Sequence, residues 1–442
     1  MIRRPPRSTL SPSSAASDVY KRQVVATIIV TEQQSKITII YIKNYEAFSI
    51  DRFLNWEYYL GNATCTDFPY VADFDGDGLV DILFRAQGGQ NKVYVGVINV
   101  SDGSLKWMTI LNEPHPYSST YLDYGNFYDD PPLEIVIGVS NHIYLISGLN
   151  GSILANFSLP SHGSSFSYIY AVDIDGDSLC EAIYQLDNRL YAIDFVDNRL
   201  LWSIPIGCYP TLITFYDIDK DGYREFFYTA PNGIIIGYKL NYGVLWCVNL
   251  GINSSKIYMP VVFGNNNTTS GLFIINNSII CIDISNGELL WTVDLSDYFK
   301  EIVVFSPTLI DFDKDGLLEI FMAGFGGENE FIALNELGEI EFTVNILDEL
   351  VIPLPYSNIV IDDIDSDNEY EILGLSFNKL YIVDLNNKIA HFIYFRTSPN
   401  SEERHSIVYH NGLTITNLHG KEKIVIVTTL NHILSLNITP KS

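Results

Sequence analysis

Apolar residues in this chain come in short runs broken by Gly, Asn and Asp. HIYLIS (142–147) and KLYIVDL (379–385) alternate apolar with polar, and DILFRA (81–86) is almost continuously apolar. Period-two alternation in short runs predicts strands, and the Gly and Asn between them predict hairpin turns. The apolar set is dominated by Ile, Val, Tyr and Phe, residues that fit a pleated surface better than a helix. No window holds the 18 or so consecutive apolar residues a membrane-spanning helix needs.

The strands recur at a fixed interval. DFDGDGLVDILF (73–84), DIDGDSLCEAIY (173–184), DIDKDGYREFFY (217–228), DFDKDGLLEIFM (311–322) and DIDSDNEYEILG (363–374) align without gaps. Each reads D-x-D-x-D-x-x-x-(D/E) and then an apolar strand. Degenerate copies fill the intervals. In 122–138 the strand is kept and the loop reads as broken and lengthened; in 261–275 the acids are gone; 413–428 follows the last acidic loop. The period is about 44–52 residues, a length that signals stacked repeat units. The five tryptophans mark the same register: Trp56, Trp107, Trp202, Trp246 and Trp291 each follow a turn, and Phe342 and Phe392 take that place in two other units. So regular a placement predicts one buried packing position per unit.

Each unit reads as four strands, a before the acidic loop, b after it, c the alternating run and d the strand with Trp. Units at 70–111, 120–159, 169–206, 213–250, 259–295, 307–346 and 359–396 are complete. Residues 412–438 supply strands a to c, and 24–60 end in a strand d, FLNWEYYL. These features predict an all-β fold, a β-propeller of four-stranded blades, most simply eight, with seven the alternative. The N- and C-terminal strands would pair to close the ring and remove its open sheet edges. Residues 1–23, rich in Ser, Pro and Arg without an apolar run, read as a non-structural leader of sequencing-adapter origin. Residues 24–442 read as one propeller domain.

The formal charge of −27 argues against nucleic acid or an anionic membrane as partner and for bound cations where acids cluster. The acidic loops place oxygens at positions 1, 3, 5, 7 (backbone carbonyl) and 9, the arrangement of a calcium loop. The expected metal residues are Asp73, Asp75, Asp77, Leu79 and Asp81; Asp173, Asp175, Asp177, Leu179 and Glu181; Asp217, Asp219, Asp221, Tyr223 and Glu225; Asp311, Asp313, Asp315, Leu317 and Glu319; and Asp363, Asp365, Asp367, Glu369 and Glu371. Gly78, Gly222 and Gly316 stand at position 6, where a sharp turn is required, with Ser178 and Asn368 in the other two. The twelfth positions hold no bidentate Glu and strands flank the loops, so these are not EF-hands. About five Ca2+ ions, structural in role, are expected. The five cysteines lie at irregular spacing with no CxxC and read as buried thiols.

The acidic loops resemble those of FG-GAP and VCBS repeat proteins, the group that includes the integrin α-subunit propeller. The Gly-x-Leu-x-Trp pattern of NGELLW and DGSLKW resembles the blades of quinoprotein (PQQ)-like propellers. The Phe-Gly and Gly-Ala-Pro flanks of the first family are mostly absent. The resemblance implies structural calcium at the a–b hairpins, on the rim opposite the usual ligand surface. Fold likeness alone does not fix function; the expected function is an extracellular or cell-surface, calcium-stabilised module of adhesion type that binds protein or glycan, a monomeric propeller with no membrane span and, given its charge, no nucleic-acid partner. Nine Asn-X-Ser/Thr sequons suit that compartment. Tyr117, Tyr209 and Tyr258, on loops of the other rim, are the candidate ligand anchors. The alternative is an enzyme, a rhamnogalacturonan lyase-like propeller or, less well supported, a PQQ-dependent dehydrogenase. The chain has no GxSxG, HExxH or phosphate loop and no adjacent cysteines.

Overall fold

The computed structural model describes residues 38–42, 44–65, 68–89, 91–112, 121–130, 132–139, 142–158, 168–186, 188–206, 212–230, 233–251, 260–265, 268–302, 307–325, 331–346, 359–376, 379–395, 412–418, 422–429 and 431–438. They form eight sheets, each built on four antiparallel positions a to d, arranged as the eight blades of a β-propeller. Blades 1 to 5 are local, spanning 64–112, 121–158, 169–205, 213–249 and 261–294. Blade 6 is built on 301–346 and blade 7 on 360–394. In blade 8 the chain closes on itself: Leu54–Tyr59 supplies strand d and runs antiparallel to His432–Leu436, the strand c supplied by the C-terminal end. Eight blades, rather than seven, therefore complete the ring.

The N-terminal strands add a feature that periodicity did not reveal. Thr38–Ile42 lies parallel to strand d of blade 6, with Thr38 opposite Phe342 and Ile42 opposite Ile346. Asn44–Ser49 does the same on blade 7, Asn44 facing Ile389 and Ser49 facing Tyr394. A short 3-10 turn at Ile50–Arg52 then delivers the chain to blade 8. Two outer edges that would otherwise present unpaired backbone groups are thereby covered.

The burial of each strand follows from its place in a blade. The b strands at Glu134–Val139, Glu181–Leu186, Glu225–Ala230 and Glu371–Ser376 are buried at every residue. Their two faces pack against the two neighbouring blades, so no polar alternation survives. Strand d is outermost and alternates, as in Leu54–Tyr59 and Glu288–Asp294. The apolar clusters lie between blades: Leu83, Val95 and Trp107 of blade 1 pack with Leu122, Ile135 and Ile137 of blade 2.

Four of the five tryptophans lock one blade to the next, Trp202 being the exception, with nothing within 4 Å of the Cβ position of Gly243 in the turn that follows it. The indole N–H of Trp56 donates to Val100 O at 2.9 Å, that of Trp107 to Gly148 O at 2.6 Å, that of Trp246 to Ile284 O at 2.8 Å and that of Trp291 to Glu336 O at 3.0 Å. In each case the acceptor belongs to the c–d turn of the following blade. The ring lies against a glycine of that turn, Gly103, Gly151, Gly287 and Gly338 respectively, each with φ between +73° and +79°. A side chain there would strike the ring. Where the following turn carries Asn198 or Lys388 instead, the preceding blade has Ala155 or Phe342 at the tryptophan position.

Of the cysteines, Cys65 and Cys281 are buried, Cys180 is half-buried and Cys247 is exposed on outer strand d; all four carry thiols. The expectation of uniformly buried thiols fails at Cys247, which points outward on that strand. Cys208 lies outside the described residues.

Candidate metal centres on one rim

All five acidic loops join strand a to strand b, and the alternation of strand direction brings them to one rim. They share a backbone. Position 4 (Gly76, Gly176, Lys220, Lys314, Ser366) and position 6 (Gly78, Ser178, Gly222, Gly316, Asn368) are left-handed in every loop. The chain tolerates this at non-glycine residues because the first aspartate gathers the turn. The N–H of position 6 donates to its Oδ2 at 2.8–3.1 Å in all five. The N–H of position 7 donates to Oδ1 of the aspartate at position 5 at 2.8–2.9 Å. Sequence reasoning had required the special conformation at position 6 only.

The glutamate at position 9 is a strut. Its Oε2 accepts from the N–H of position 2 in four loops: Ile174 to Glu181 (3.1 Å), Ile218 to Glu225 (2.9 Å), Phe312 to Glu319 (2.5 Å) and Ile364 to Glu371 (3.0 Å). All four glutamates are buried. Phe127 N–H donates to Glu134 in the same way, at 2.9 Å and the same separation of seven residues. The blade 2 loop is therefore not lengthened, as its sequence suggested. It keeps the strut and has Asn126, Tyr128 and Asp130 at positions 1, 3 and 5, too few carboxylates for a cage.

Carboxylate oxygens converge to within 4.8 Å in five groups: Asp73, Asp75 and Asp77; Asp173, Asp175 and Glu181; Asp217, Asp219 and Glu225; Asp311, Asp313 and Asp315; Asp363, Asp365 and Glu371. At that distance each pair of carboxylates repels by about 3 kcal/mol at an effective dielectric near 20. The remaining acids, Asp81, Asp177, Asp221, Glu319 and Asp367, stand at the edges of the same loops. Leu79, Leu179, Tyr223, Leu317 and Glu369 close them at position 7. Burial pushes Glu181 and Glu319 up to about 7 and Glu371 up to about 8, with the nearby aspartates adding to the effect and the backbone N–H opposing it. Asp311 Oδ1 is buried without a donor. An all-oxygen, anionic and incompletely satisfied donor set is what a hard divalent cation such as calcium takes.

Two loops differ. Lys106 Nζ lies 2.7 Å from Asp75, 3.2 Å from Asp77 and 2.9 Å from Asp81. Lys239 Nζ lies 2.8 Å from Asp219 and 2.6 Å from Asp221. It is also 2.8 Å from Glu225 Oε1, an ion pair without hydrogen-bond alignment. Burial works against both ammonium groups, but the carboxylates outweigh it and hold each lysine above its ordinary pKa. Sequence reasoning missed both residues. Each stands on a strand next to the loop, so only alignment in blade register marks it.

Tyr117, Tyr209 and Tyr258 lie outside the described residues, as do most of the loops that carry them. No described helix is long and apolar enough to cross a membrane.

No protein family model and no curated protein sequence matches the chain. Solved structures do. The Vibrio cholerae biofilm matrix protein Bap1 superposes with a TM-score of 0.59 at 13% identity, over 88% of this chain and 91% of that one. A europium-containing methanol dehydrogenase gives 0.58 at 10% identity, over 89% and 96%. Sqt1 of Saccharomyces cerevisiae gives 0.54 at 10% identity, over 90% and 99%. At these identities the likeness establishes the fold alone, a β-propeller.

Proposed function

We propose that this chain is a calcium-stabilised β-propeller of FG-GAP/VCBS character, acting as an extracellular or cell-surface module that binds a protein or glycan ligand. The observation that carries the metal half of this reading is the set of loops in blades 3, 6 and 7. There three loop acids converge, and a further acid stands on another strand of the blade: Asp194, Glu341 and Asp384 respectively. On this reading all five converging groups would hold ions: Asp173, Asp175 and Glu181, Asp311, Asp313 and Asp315, and Asp363, Asp365 and Glu371, together with Asp73, Asp75 and Asp77 and Asp217, Asp219 and Glu225. Calcium would supply the charge that lets these turns stay closed. Loops this short and solvent-facing suit weak binding, about 10⁻⁴–10⁻³ M as in extracellular modules. That points to a compartment rich in calcium. The use of the fold by Bap1, a biofilm matrix protein, agrees with such a setting.

The ligand would sit on the rim opposite the loops, anchored by Tyr117, Tyr209 and Tyr258. Strands b and d end on that rim, away from the metals. A few aromatic anchors commonly dominate binding energy. The test has two arms. Calcium should raise the melting temperature of the full chain above its value in chelator, since it binds the folded loops preferentially. An identical melting curve in both would end the calcium reading. On a glycan array or in a pull-down from calcium-containing medium, the triple Tyr→Ala variant should lose the ligand. The double variant Asp313→Ala with Asp315→Ala, kept folded, should retain it. The opposite pattern would move the ligand to the metal rim.

A further inference from the structure

The five acidic loops share one backbone but not one balance of charge. Directly across from position 9, on strand c, stands Lys239 in blade 4, whereas Asp194 and Asp384 hold that place in blades 3 and 7. One residue before the tryptophan position, on strand d, stands Lys106 in blade 1 and Glu341 in blade 6. Each lysine thus occupies a place that an acid takes in another acidic blade. The two come from different strands and reach the same destination, so what they share is the cage and not an inherited repeat position. Blades 1 and 4 set four loop carboxylates against one ammonium. Blades 3, 6 and 7 have four loop acids, three of them converging, and a fifth acid where the lysine would stand.

We propose that Lys106 and Lys239 are built-in cations that take the place of calcium, so that the loops of blades 1 and 4 close without metal and calcium is confined to blades 3, 6 and 7. The inference rests on the calcium reading above and narrows it from five loops to three. An ammonium has three donors, and each lysine meets three carboxylates of its loop at 2.6–3.2 Å. Asp75 and Asp77, and Asp219 and Glu225, are the same groups that converge in those loops. A calcium ion needs 6–8 oxygens at 2.3–2.6 Å and would compete for them. Both lysine side chains are mostly covered, 18% and 10% exposed, and each is held by three carboxylates rather than free in solvent.

Cations near the other loops lie outside the converging carboxylates. Arg199 pairs with Asp194, the added acid of blade 3, and with Asp197, from an exposed position, and neither belongs to the trio Asp173, Asp175 and Glu181. Lys423 binds Asp362 and the carbonyl of Asp363, beside the carboxylates of blade 7 but not among them. Lys314 donates to the carbonyl of Asn368. The ring would therefore hold two kinds of fastener, and lowering calcium would loosen only some of its blades.

Two measurements on the full chain test this. Equilibrium dialysis against millimolar calcium chloride should give three ions per chain. Lys106→Met and Lys239→Met should each gain one. Hydrogen exchange read by mass spectrometry, with calcium and then with chelator, should show faster exchange at 173–181, 311–319 and 363–371 on chelation. It should show no change at 73–81 and 217–225. Five ions in the wild type, or equal loosening of all five loops, would overturn the inference and leave the calcium reading standing. A folded lysine variant that binds no additional ion would also overturn it. No ion bound and no loop altered would sink the calcium reading and this division of loops with it.

Discussion

Replacing Gly287 by alanine should cost far more than replacing Gly243, although both lie in c–d turns with left-handed backbones, φ +78° and +91°. An alanine in that region is strained by about 1–2 kcal/mol wherever it stands. At Gly243 nothing lies within 4 Å of the added methyl, so the strain is the whole penalty. At Gly287 the methyl would fall 2.8 Å from Cδ2 and Cγ of Trp246 and 2.9 Å from its Cβ. Trp246 cannot retreat, because its N–H is held by Ile284 O at 2.8 Å and its ring stacks on Phe227 at 5.7 Å. Overpacking of this kind adds about 1–3 kcal/mol. The expected losses are about 2–5 kcal/mol at Gly287 and about 1–2 kcal/mol at Gly243. The assay is urea unfolding followed by far-UV circular dichroism in excess calcium. A double-mutant cycle with Trp246→Leu isolates the contact, since removing the ring should bring the Gly287→Ala penalty down to that of Gly243→Ala. Equal losses at the two glycines, or a cycle with no coupling, would refute the claim that tryptophan docking on glycine holds adjacent blades together.

Two other outcomes are expected. Deleting 412–442 removes eight buried apolar side chains of blade 8, among them Ile426, Val427, Ile433 and Leu436. At 1.5–3 kcal/mol each that is roughly 12–24 kcal/mol, as large as or larger than the usual net stability of a folded domain, about 5–15 kcal/mol. The truncated chain should aggregate, and a monomer with unchanged melting on size exclusion and calorimetry would show that closure is dispensable. The second concerns pH. Glu181, Glu319 and Glu371 rise from 4.5 to about 7, 7 and 8 on folding, so the folded metal-free protein binds protons more tightly than the unfolded chain. Their contribution to stability is full below pH about 4.5 and is lost as pH rises through about 7–8. Calcium replaces those protons, so the difference in melting temperature between calcium-loaded and calcium-free protein should widen as pH rises from about 6 to about 8.5. A constant difference would contradict the placement of charge on these glutamates.

Blade count, strand order and the loop positions were legible in the sequence because each is a local pattern repeated many times. An apolar run predicts strand b, a D-x-D-x-D stretch predicts a tight anionic turn, and a tryptophan predicts strand d. The pairing of 54–59 with 432–436 was legible as well, since two incomplete units at opposite ends need one another. Three features were decided only by the tertiary structure. Residues 38–49 carry no repeat signature, and their place on the outer edges of blades 6 and 7 depends on edges that exist only once the ring has formed. The blade 2 loop looked broken and lengthened in the sequence, where Asn126 and Tyr128 replace the first two aspartates, yet the buried carboxylate of Glu134 still accepts from Phe127 N–H and the loop keeps its length. Lys106 and Lys239 lie 25 and 14 residues beyond the last acid of their loops, Asp81 and Glu225, on strands d and c. Nothing local to them speaks of metal or of its replacement. Their charge matters because strands c and d fold back beside the a–b turn, bringing an ammonium within 3.2 Å of three carboxylates. Electrostatic balance is a property of what meets in space, and a repeat motif reports only what is adjacent along the chain.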